Sequence, residues 1–554
     1  MEQARLFIAI ALSFLVFFLW QAFFVEKEPI PAPKKQPGKQ RLASEKPYVQ
    51  EREQEREKVS APVTPVTTGQ KQAKKTAKII TVDTPLYTVR ISEKGGVFKS
   101  YVLKNYRESA EKDSPLKELI SENVSSGTLQ LGFTANSVPG LPEAVFQSDF
   151  TAYNINVNDQ PKPLVLKWQS PGGIVIERRY LFSPRTYLIG HSIIVKNGSN
   201  RTLTDSVTIR LLNSLPDQSG RFGFAGPSAL IDDKVKEVKI KKIKEKNVFS
   251  GNLRWVALQD RYFLSSIIPS SVVLSSMRLS LEQDSILSAE YVQPESTIPA
   301  GSQRRFDYEI YFGPKSVKIL KEIGKGLDKA VDFGMFDFIA KPCLWLMNFF
   351  YSIIPNYGVA IIILTVITKI LLWPLGVKSY KSMNEMKKLQ PIMAQIREKY
   401  KGDKKKMNEE IMGLYRTYKI NPMGGCLPMI AQIPVFFALY RMLYEAIELR
   451  HAPFFGWIND LSAPDRLFRF DFSIPFMQPP YGIPVLTLVM GATMFLQQKM
   501  TPSPGDPSQA KMMMLMPVIF TFIFINFSSG LVLYWLVNNI LSIAQQYYIT
   551  KKLA

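Results

Sequence analysis

Hydrophobic and polar positions divide this chain of 554 residues into three parts. Residues 6–25 and most of 340–549 are strongly apolar, whereas 26–337 mix polar and apolar positions as an aqueous domain does. Apolar segments on both sides of such a region are typical of a membrane protein that carries a large domain outside the bilayer.

The first apolar segment, Leu6–Val25, is long enough to cross a bilayer at 1.5 Å per residue. It is rich in Phe and Trp and lacks an A-x-A cleavage site, which favours an uncleaved signal anchor over a removed signal peptide. We therefore predict a transmembrane helix over 1–25. Residues 26–78 are rich in Pro, Lys, Glu and Gln and predict a flexible linker, because they bury too little apolar surface to offset chain entropy.

The next region changes to the period of two that is typical of strands. Alternating or β-branched runs recur between turn signals at Leu86–Ser92, Gly96–Leu103, Leu164–Gln169, Gly173–Phe182, Tyr187–Lys196, Leu203–Leu212, Val272–Leu279 and Phe306–Phe312. Many short strands without interleaved helices indicate a β-sandwich, which we predict over 79–320. The lysine-rich run Lys234–Lys246 predicts a solvated strand or loop.

Connecting and interfacial helices are predicted over 321–356. A linking helix is expected at 316–332. Residues 336–354 are apolar and aromatic but are interrupted by charges and a proline, which favours an amphipathic helix at the bilayer surface. A spanning helix at 336–354 stays an open alternative.

The last third predicts five further membrane crossings, at 357–375, 427–445, 482–499, 512–526 and 529–549. The short loop Lys378–Lys419 holds twelve Lys and Arg against five Asp and Glu, so it should be cytoplasmic. The loop 446–480 holds three Arg against four acidic residues and should lie outside. The predicted fold is a polytopic α-helical membrane protein with six transmembrane helices, cytoplasmic termini, a periplasmic β-sandwich and a helical core over 357–550.

The formal net charge of +22 has a topological explanation. Much of the excess lies in the linker and beside apolar segments, where lysines orient a membrane protein and attract anionic lipids. No zinc-finger, RNA-recognition or helix-turn-helix signature is present, so no direct specific nucleic-acid binding is expected. The two cysteines, Cys343 and Cys426, lie in or beside the apolar C-terminal region, and the β domain must be held by its core.

Lys369 is the most informative position because it interrupts an apolar helix. A lysine at the centre of a spanning helix costs about 2.5–3.5 kcal/mol. Counting back from Leu375 places it roughly 9 Å inside the cytoplasmic end. Either its side chain snorkels to the headgroups, or it lines a hydrated cavity within the bundle. Thr365 shares its helix face at i−4, and other polar residues of the apolar segments favour the cavity, although each also suits an interhelix hydrogen bond: Gln432, Thr487, Thr493, Gln497, Thr521, Asn526, Asn538 and Asn539.

The basic loop 378–419 predicts an antiparallel helical hairpin with a turn at 401–403. Apolar residues follow helical spacing at Leu389, Ile392, Met393, Ile396, Tyr400, Met407, Ile411, Leu414, Tyr415 and Tyr418. The candidate basic contact residues of the hairpin are Lys387, Lys388, Arg397, Lys404 and Lys405. Two interpretations stay open, namely solvated charges that stabilise the helices and a docking arm for a ribosome or nascent chain.

Catalysis finds little support in the sequence. The only histidines are His191, in a predicted strand, and His451, in an external loop, and no metalloprotease, nucleophile-elbow or phosphate-loop motif occurs. We expect no enzyme activity, catalytic residue, metal site or cofactor. A channel or secondary transporter is the alternative function, although the internal inverted repeats that it predicts are not evident. A membrane-embedded hydrolase is disfavoured because a nucleophile–base pair is missing.

Several long motifs resemble the YidC family of bacterial membrane insertases. They are TKILLWPL at 368–375, KSYKSMNEMKKLQP at 378–391, YKINPMGGCLP at 418–428, QIPVFFALY at 432–440, LRHAPF at 449–454, FLQQKM at 495–500, MMLMPVIFT at 513–521 and SGLVLYW at 529–535. The likeness is strong after residue 340 and rests on architecture alone before it. An N-terminal anchor followed by a large β domain is similar to the Gram-negative form of the family.

The resemblance implies an inner-membrane insertase and chaperone that works alone or beside the Sec translocon. Its partners would be nascent membrane proteins, ribosomes and anionic lipids. It also implies a hydrophilic groove, with the groove cation at Lys369 and lining positions at Thr365 and Gln432. Many relatives carry arginine at the cation position; lysine keeps the charge but loses the bidentate fork. Ser528 stands where the family often has proline, so the turn before the last helix is expected to differ.

Overall fold

The computed structural model describes residues 77–150, 153–216, 223–282, 285–418, 427–501 and 507–553. The predicted anchor at 1–25 and all but the last two residues of the predicted linker at 26–78 lie outside this described part. Two compact units make up the chain, Val63–Pro502 with Met514–Ala554, and Met1–Pro62 with Ser503–Met513. The first unit contains all of the strands and all or part of each helix described below; the described part of the second is the start of one helix.

The middle of the chain is built from short strands, as the alternating pattern predicts. They are β1 Ile79–Asp83, β2 Tyr87–Ser92, β3 Val97–Arg107, β4 Leu116–Glu118, β5 Gln130–Phe133, β6 Gln147–Ser148, β7 Asn154–Asn156, β8 Lys162–Gln169, β9 Ile174–Phe182, β10 Leu188–Asn197, β11 Leu203–Asp205, β12 Val207–Ser214, β13 Gly226–Ile231, β14 Lys234–Glu237, β15 Val248–Gln259, β16 Phe263–Pro269, β17 Leu274–Glu282, β18 Ile286–Val292, β19 Ser296–Ile298 and β20 Gln303–Pro314. We call β1–β20 the β domain.

Two large sheets of the β domain share one core. Among the described residues, the smaller has the order β4-β3-β2-β1-β7, and the larger runs β5-β12-β18-β17-β15-β16-β20-β10-β9-β8-β6, with β13 and β14 attached beside β15. Tyr101 of β3 stacks on Phe312 of β20 with ring centroids 5.1 Å apart, and both rings are buried. The buried guanidinium of Arg178 in β9 donates hydrogen bonds to the carbonyls of Gly95 (2.7 Å) and Leu129 (2.8 Å). The predicted β-sandwich is therefore confirmed.

Three long strands that the sequence pattern misses, β15, β16 and β18, are covered on both faces over much of their length. Five consecutive residues of β15, Trp255–Gln259, are buried, and β16 and β18 also have long runs of buried positions. Such strands lose the alternation that identifies a half-solvated strand. The predicted single strand Leu203–Leu212 is wrong in one respect: β11 pairs with β19, whereas β12 pairs with β5 and β18, so the strand is interrupted at Ser206.

The remainder of the described chain is mainly helical. The helices are α1 Val317–Ile323, α2 Asp337–Ile353, α3 Tyr357–Leu371, α4 Trp373–Lys399, α5 Lys404–Thr417, α6 Leu427–Glu445, α7 Val485–Met500, α8 Pro507–Phe524 and α9 Ser529–Leu553. Two short strands, β21 Leu467–Phe470 and β22 Tyr481–Ile483, form a hairpin between α6 and α7. The expected single helix at 316–332 is wrong, because α1 ends at Gly324, which adopts a left-handed φ of 76°, and a separate 3-10 turn follows.

The first predicted crossing, 357–375, is also corrected. Helix α3 ends at Leu371, and α4 leaves it at an angle of 62°. Pro374 lies in the first turn of α4, where the missing N–H is tolerated, but it cannot continue the hydrogen-bond ladder of α3. The bend therefore separates α3 from the long helix that forms the first arm of the hairpin.

Taken singly, none of the described helices has both the length and the hydropathy needed to cross a bilayer, whereas the bent pair α3 and α4 satisfies both conditions together. The number of crossings stays a prediction from the sequence. Helix α2 buries Ala340, Leu344 and Met347 and exposes Phe338 and Trp345. Whether α2 lies at the bilayer surface or spans the bilayer also stays a prediction.

Candidate functional site

Lys369 lies in the last turn of α3, closer to the helix end than the sequence indicated. Because α3 ends at Leu371, the lysine is two residues from the end of the helix, where the partial negative charge of the helix C-terminus favours a cation. Its side chain is half-buried, and its Nζ donates a hydrogen bond of 2.6 Å to Ser542 Oγ on α9. In this structure the ammonium contacts the neighbouring helix.

A line of hydrogen bonds connects this lysine to two further helices. Ser542 Oγ donates to the carbonyl of Asn538 (2.6 Å), and Asn538 Oδ1 accepts from Gln432 Nε2 of α6 (3.0 Å). We call Lys369, Ser542, Asn538 and Gln432 the polar line. It joins α3, α9 and α6, and it contains two of the three residues that the sequence analysis assigned to a groove.

Thr365, the third predicted groove residue, is buried but is not a member of the polar line. Its hydroxyl donates to the carbonyl of Ile361 at 2.7 Å within its own helix. This i−4 bond satisfies the hydroxyl without a partner on another helix. Thr365 therefore lies one turn from Lys369, with its donor already used.

Sequence reasoning did not single out Ser542, which accepts the hydrogen bond from Lys369. The signal that could have identified it is a polar stripe at helical spacing on α9, formed by Asn538, Ser542 and Gln545. Gln545 is buried and donates to the carbonyl of Trp373 (3.3 Å), directly after the bend between α3 and α4. The polar face of α9 thus contacts both α3 and the start of α4.

The polar line carries a positive charge that is not neutralised locally. Within the described ranges, Lys369 Nζ forms no ion pair with a carboxylate, and its hydrogen bond goes to the neutral hydroxyl of Ser542. A partly desolvated ammonium with a single neutral partner retains free donor capacity. Such a group attracts carboxylates, carbonyls and water, and stabilises polar groups that enter the bundle.

Outside the polar line, the helices expose large apolar side chains. Examples on α7, α8 and α9 are Leu488, Val489, Leu496, Val518, Phe522 and Ile540. Apolar outer faces around internal polar groups are the arrangement that a lipid environment demands.

The basic loop forms the predicted helical hairpin from α4 and α5. Leu389 and Met393 are buried against Met386, Ile392, Ile411, Leu414 and Tyr415. The side chain of Asp403 caps α5 by accepting the backbone N–H groups of residues 405 and 406 at 3.1 Å each. Tyr418, expected on the apolar face, is exposed.

The five candidate basic residues of the hairpin differ in exposure. Lys387, Lys388 and Lys405 are exposed, whereas Arg397 is half-buried. Burial raises the pKa of Tyr415, and the charge of Arg397 partly offsets this rise. Lys404 begins α5, but its side chain lies outside the described part.

The two histidines occupy structural positions. His191 is buried in the β domain and stacks on Tyr180 with centroids 4.4 Å apart; burial and the nearby Arg178 charge hold its pKa well below the usual value. In the loop after α6, His451 Nε2 lies 3.9 Å from Asp460 Oδ2. His191 therefore remains neutral and part of the core at physiological pH.

These features define a class: a helical membrane protein with a folded β-sandwich domain. Two family models match the chain, the YidC periplasmic domain over 79–346 and the 60Kd inner membrane protein over 349–554. The chain belongs to the YidC family, and it is accordingly an inner-membrane protein with transmembrane segments and a periplasmic domain.

Close relatives extend over most of the chain. The membrane protein insertase YidC of Syntrophus aciditrophicus is 46% identical over 85% of this chain and 85% of its own length. The protein of the same name from Pelobacter propionicus is 41% identical over 99% of both chains. A solved structure of an active YidC insertase, with its first transmembrane domain resolved, aligns over 86% of this chain and 93% of its own with 18% identity and a TM-score of 0.38.

Proposed function

We propose that this protein is a membrane protein insertase and chaperone, which inserts and folds integral membrane proteins in the inner membrane. The observation that carries the proposal is the polar line, which joins an unneutralised lysine of α3 to polar residues of two further helices, α9 and α6. Relatives at 41–46% identity bear the name membrane protein insertase, which supports the same function.

The polar line suggests how insertion is assisted without covalent chemistry. A nascent chain enters as a hairpin, and the polar groups of its translocated end must leave water before they reach the other side. Each unpaired polar group costs several kcal/mol in hydrocarbon (about 2–7 kcal/mol). The Lys369 ammonium and the amides of Asn538 and Gln432 provide alternative partners, so the cost is spread over smaller steps. The apolar helix of the substrate then moves into lipid along the outer faces of the bundle.

The proposed topology places both termini in the cytoplasm, with six crossings and the β domain in the periplasm. The hairpin of α4 and α5 then lies on the cytoplasmic side, where its exposed lysines can meet ribosomes, nascent chains and anionic lipids. The protein acts alone or beside the Sec translocon. Binding of specific nucleic-acid sequences, a cofactor and enzyme activity form no part of the proposal.

Site-specific crosslinking of a stalled nascent chain tests the proposal. A photoreactive residue at position 369 or 432 should crosslink to the transmembrane segment of the substrate, and position 365 should do so more weakly because its side chain is buried. Position 274, exposed on β17 of the β domain, is the control. Equal crosslinking at 274 and 432, or none at 369 and 432, would contradict a substrate path along the polar line.

Charge reversal on the hairpin tests the docking role. Lys387→Glu with Lys388→Glu is expected to weaken ribosome binding roughly tenfold at low salt, because two exposed cations become anions facing a polyanionic partner. Both lysines are exposed, so the fold of the hairpin should persist. Co-sedimentation of the purified protein with ribosomes measures the effect.

The matched control is Lys234→Glu with Lys236→Glu on the exposed strand β14 of the β domain, which changes the net charge equally. Comparable weakening by both pairs would show that net charge, rather than the hairpin, governs ribosome binding.

A further inference from the structure

The loop between α6 and α7 displays large aromatic side chains to solvent. Phe468 is 69% exposed and Phe476 is 86% exposed, and Phe472 lies between them in the same state. We call these three residues the aromatic tip. Aqueous surfaces seldom leave so much apolar area concentrated on one loop without a partner.

A polar clamp holds the loop on the helical bundle. The guanidinium of Arg466 donates to the carbonyls of Pro480 (2.8 Å) and Ile525 (2.9 Å). Asn526 Nδ2 donates to the carbonyl of Phe476 at 2.7 Å. Because Ile525 and Asn526 directly follow the end of α8, the aromatic tip is fixed at that end of the helix.

Two residues of the aromatic tip adopt a strained backbone conformation. Phe468 and Phe476 have φ angles of 51° and 64°, in the left-handed region that bulky residues seldom adopt. The carbonyl of Phe468 would lie 2.8 Å from a Cβ at position 482, so this arrangement requires Gly482. The loop therefore keeps two phenylalanines in an unfavourable backbone conformation, and the rings of both are exposed.

The aromatic tip lies where the apolar surface of the bundle ends. Exposed apolar residues continue up to this level on the first two turns of α7 (Leu488, Val489) and the last turn of α8 (Phe522, Ile523). On its other side, the loop contacts the β domain, where Arg469 forms an ion pair of 2.7 Å with Glu111. The tip is thus at the boundary between lipid-facing helices and an aqueous domain.

We propose that Phe468, Phe472 and Phe476 insert into the interface between headgroups and acyl chains, in the leaflet on the side of the β domain. Lipid is the partner because the tip continues the apolar surface of α7 and α8, and aromatic rings favour this depth of a bilayer. The Arg466–Asn526 clamp transmits the attachment to the end of α8. The proposal depends on membrane embedding and not on the role of Lys369.

Fluorescence quenching in lipid nanodiscs tests this contact. The full-length chain, with Cys343→Ser and Cys426→Ser, receives one cysteine by Phe468→Cys, Phe472→Cys or Phe476→Cys, labelled with an environment-sensitive dye. Nitroxide lipids that carry the spin label near the headgroup should quench the tip positions about threefold more than Leu274→Cys on β17, an exposed position of the β domain. Aqueous iodide should show the opposite order.

Phe472→Cys repeats the measurement at a position with an ordinary φ, should a variant at a strained position not accumulate. Iodide quenching at all three tip positions equal to that at position 274 would overturn the proposal. Protection from iodide that arises only after a nascent chain is added would also overturn it, because the partner would then be a protein. A labelled Leu488→Cys on α7 gives the reference for lipid contact.

Discussion

Replacement of Lys369 with alanine is expected to slow insertion of a small substrate that depends on this protein about tenfold or more. A tenfold decrease corresponds to a rise of about 1.4 kcal/mol in the activation free energy of insertion. The ammonium is the only member of the polar line that carries a formal charge, and Ser542 does not replace it. The variant should accumulate normally, because removal of a partly desolvated charge from a helix seldom destabilises a membrane protein. Insertion into proteoliposomes, scored by protease protection of the substrate, measures the effect.

Lys369→Arg is the matched variant, since it keeps the charge and adds donors; we expect it to retain most activity. Lys551→Ala, at an exposed lysine near the end of α9, controls for the loss of one positive charge. Insertion by Lys369→Ala at the rate of the unmodified protein would remove the polar line from the mechanism. Loss of activity in Lys369→Arg as well would show that the exact length of the side chain matters more than its charge.

Trp255→Ala is expected to destabilise the β domain by about 3–5 kcal/mol while leaving most of the insertion activity intact. Trp255 is fully buried, and its indole N–H donates to the carbonyl of Gly326 at 3.2 Å. The variant loses the packing of the ring and leaves a cavity next to the segment that leads into the bundle. Urea unfolding of the purified protein, followed by protease sensitivity of the β domain, gives the change in stability.

Trp255→Phe separates packing from hydrogen bonding, because it retains most of the ring and loses only the N–H donor, at about 1 kcal/mol. Insertion assays on both variants then show whether activity follows stability. The polar line lies on α3, α6 and α9, so activity should depend little on the core of the β domain. A decrease in insertion that parallels the loss of stability would assign the β domain a direct part in the function.

The β domain contacts the helices directly, so a change in its stability could in principle affect insertion. The guanidinium of Arg261, between β15 and β16, donates to the carbonyl of Tyr444 on α6 and stacks on its ring. Ser316 donates to Glu448, just after α6, at 3.1 Å. Helix α6 also carries Gln432 of the polar line. A tilt of the β domain would therefore move α6 and, with it, Gln432.

Local sequence patterns captured the parts of the fold that depend on neighbours along the chain. The sequence predicts half-solvated strands such as β8 because alternate residues face water. It predicts the hairpin of α4 and α5 because apolar residues repeat there at helical spacing. The sequence pattern does not reveal strands β15, β16 and β18, because both of their faces are covered and the alternation of apolar and polar residues is lost. The sequence pattern also does not reveal the bend after Leu371. Residues 357–375 are continuously apolar and read as one helix, although Pro374 interrupts the helical hydrogen bonds there.

The sequence by itself determined the division into apolar and aqueous parts, the β-sandwich, the helical hairpin and the presence of a cation at position 369 within an apolar helix. These follow from the cost of burying charge and from the periodicity of local structure. Only the tertiary structure decided that Ser542, 173 residues away, accepts the hydrogen bond from Lys369, that Thr365 is satisfied within its own helix, and that Arg466 and Asn526 fix the aromatic tip. Such pairings depend on how distant parts of the chain pack against one another, and local sequence patterns do not specify that packing.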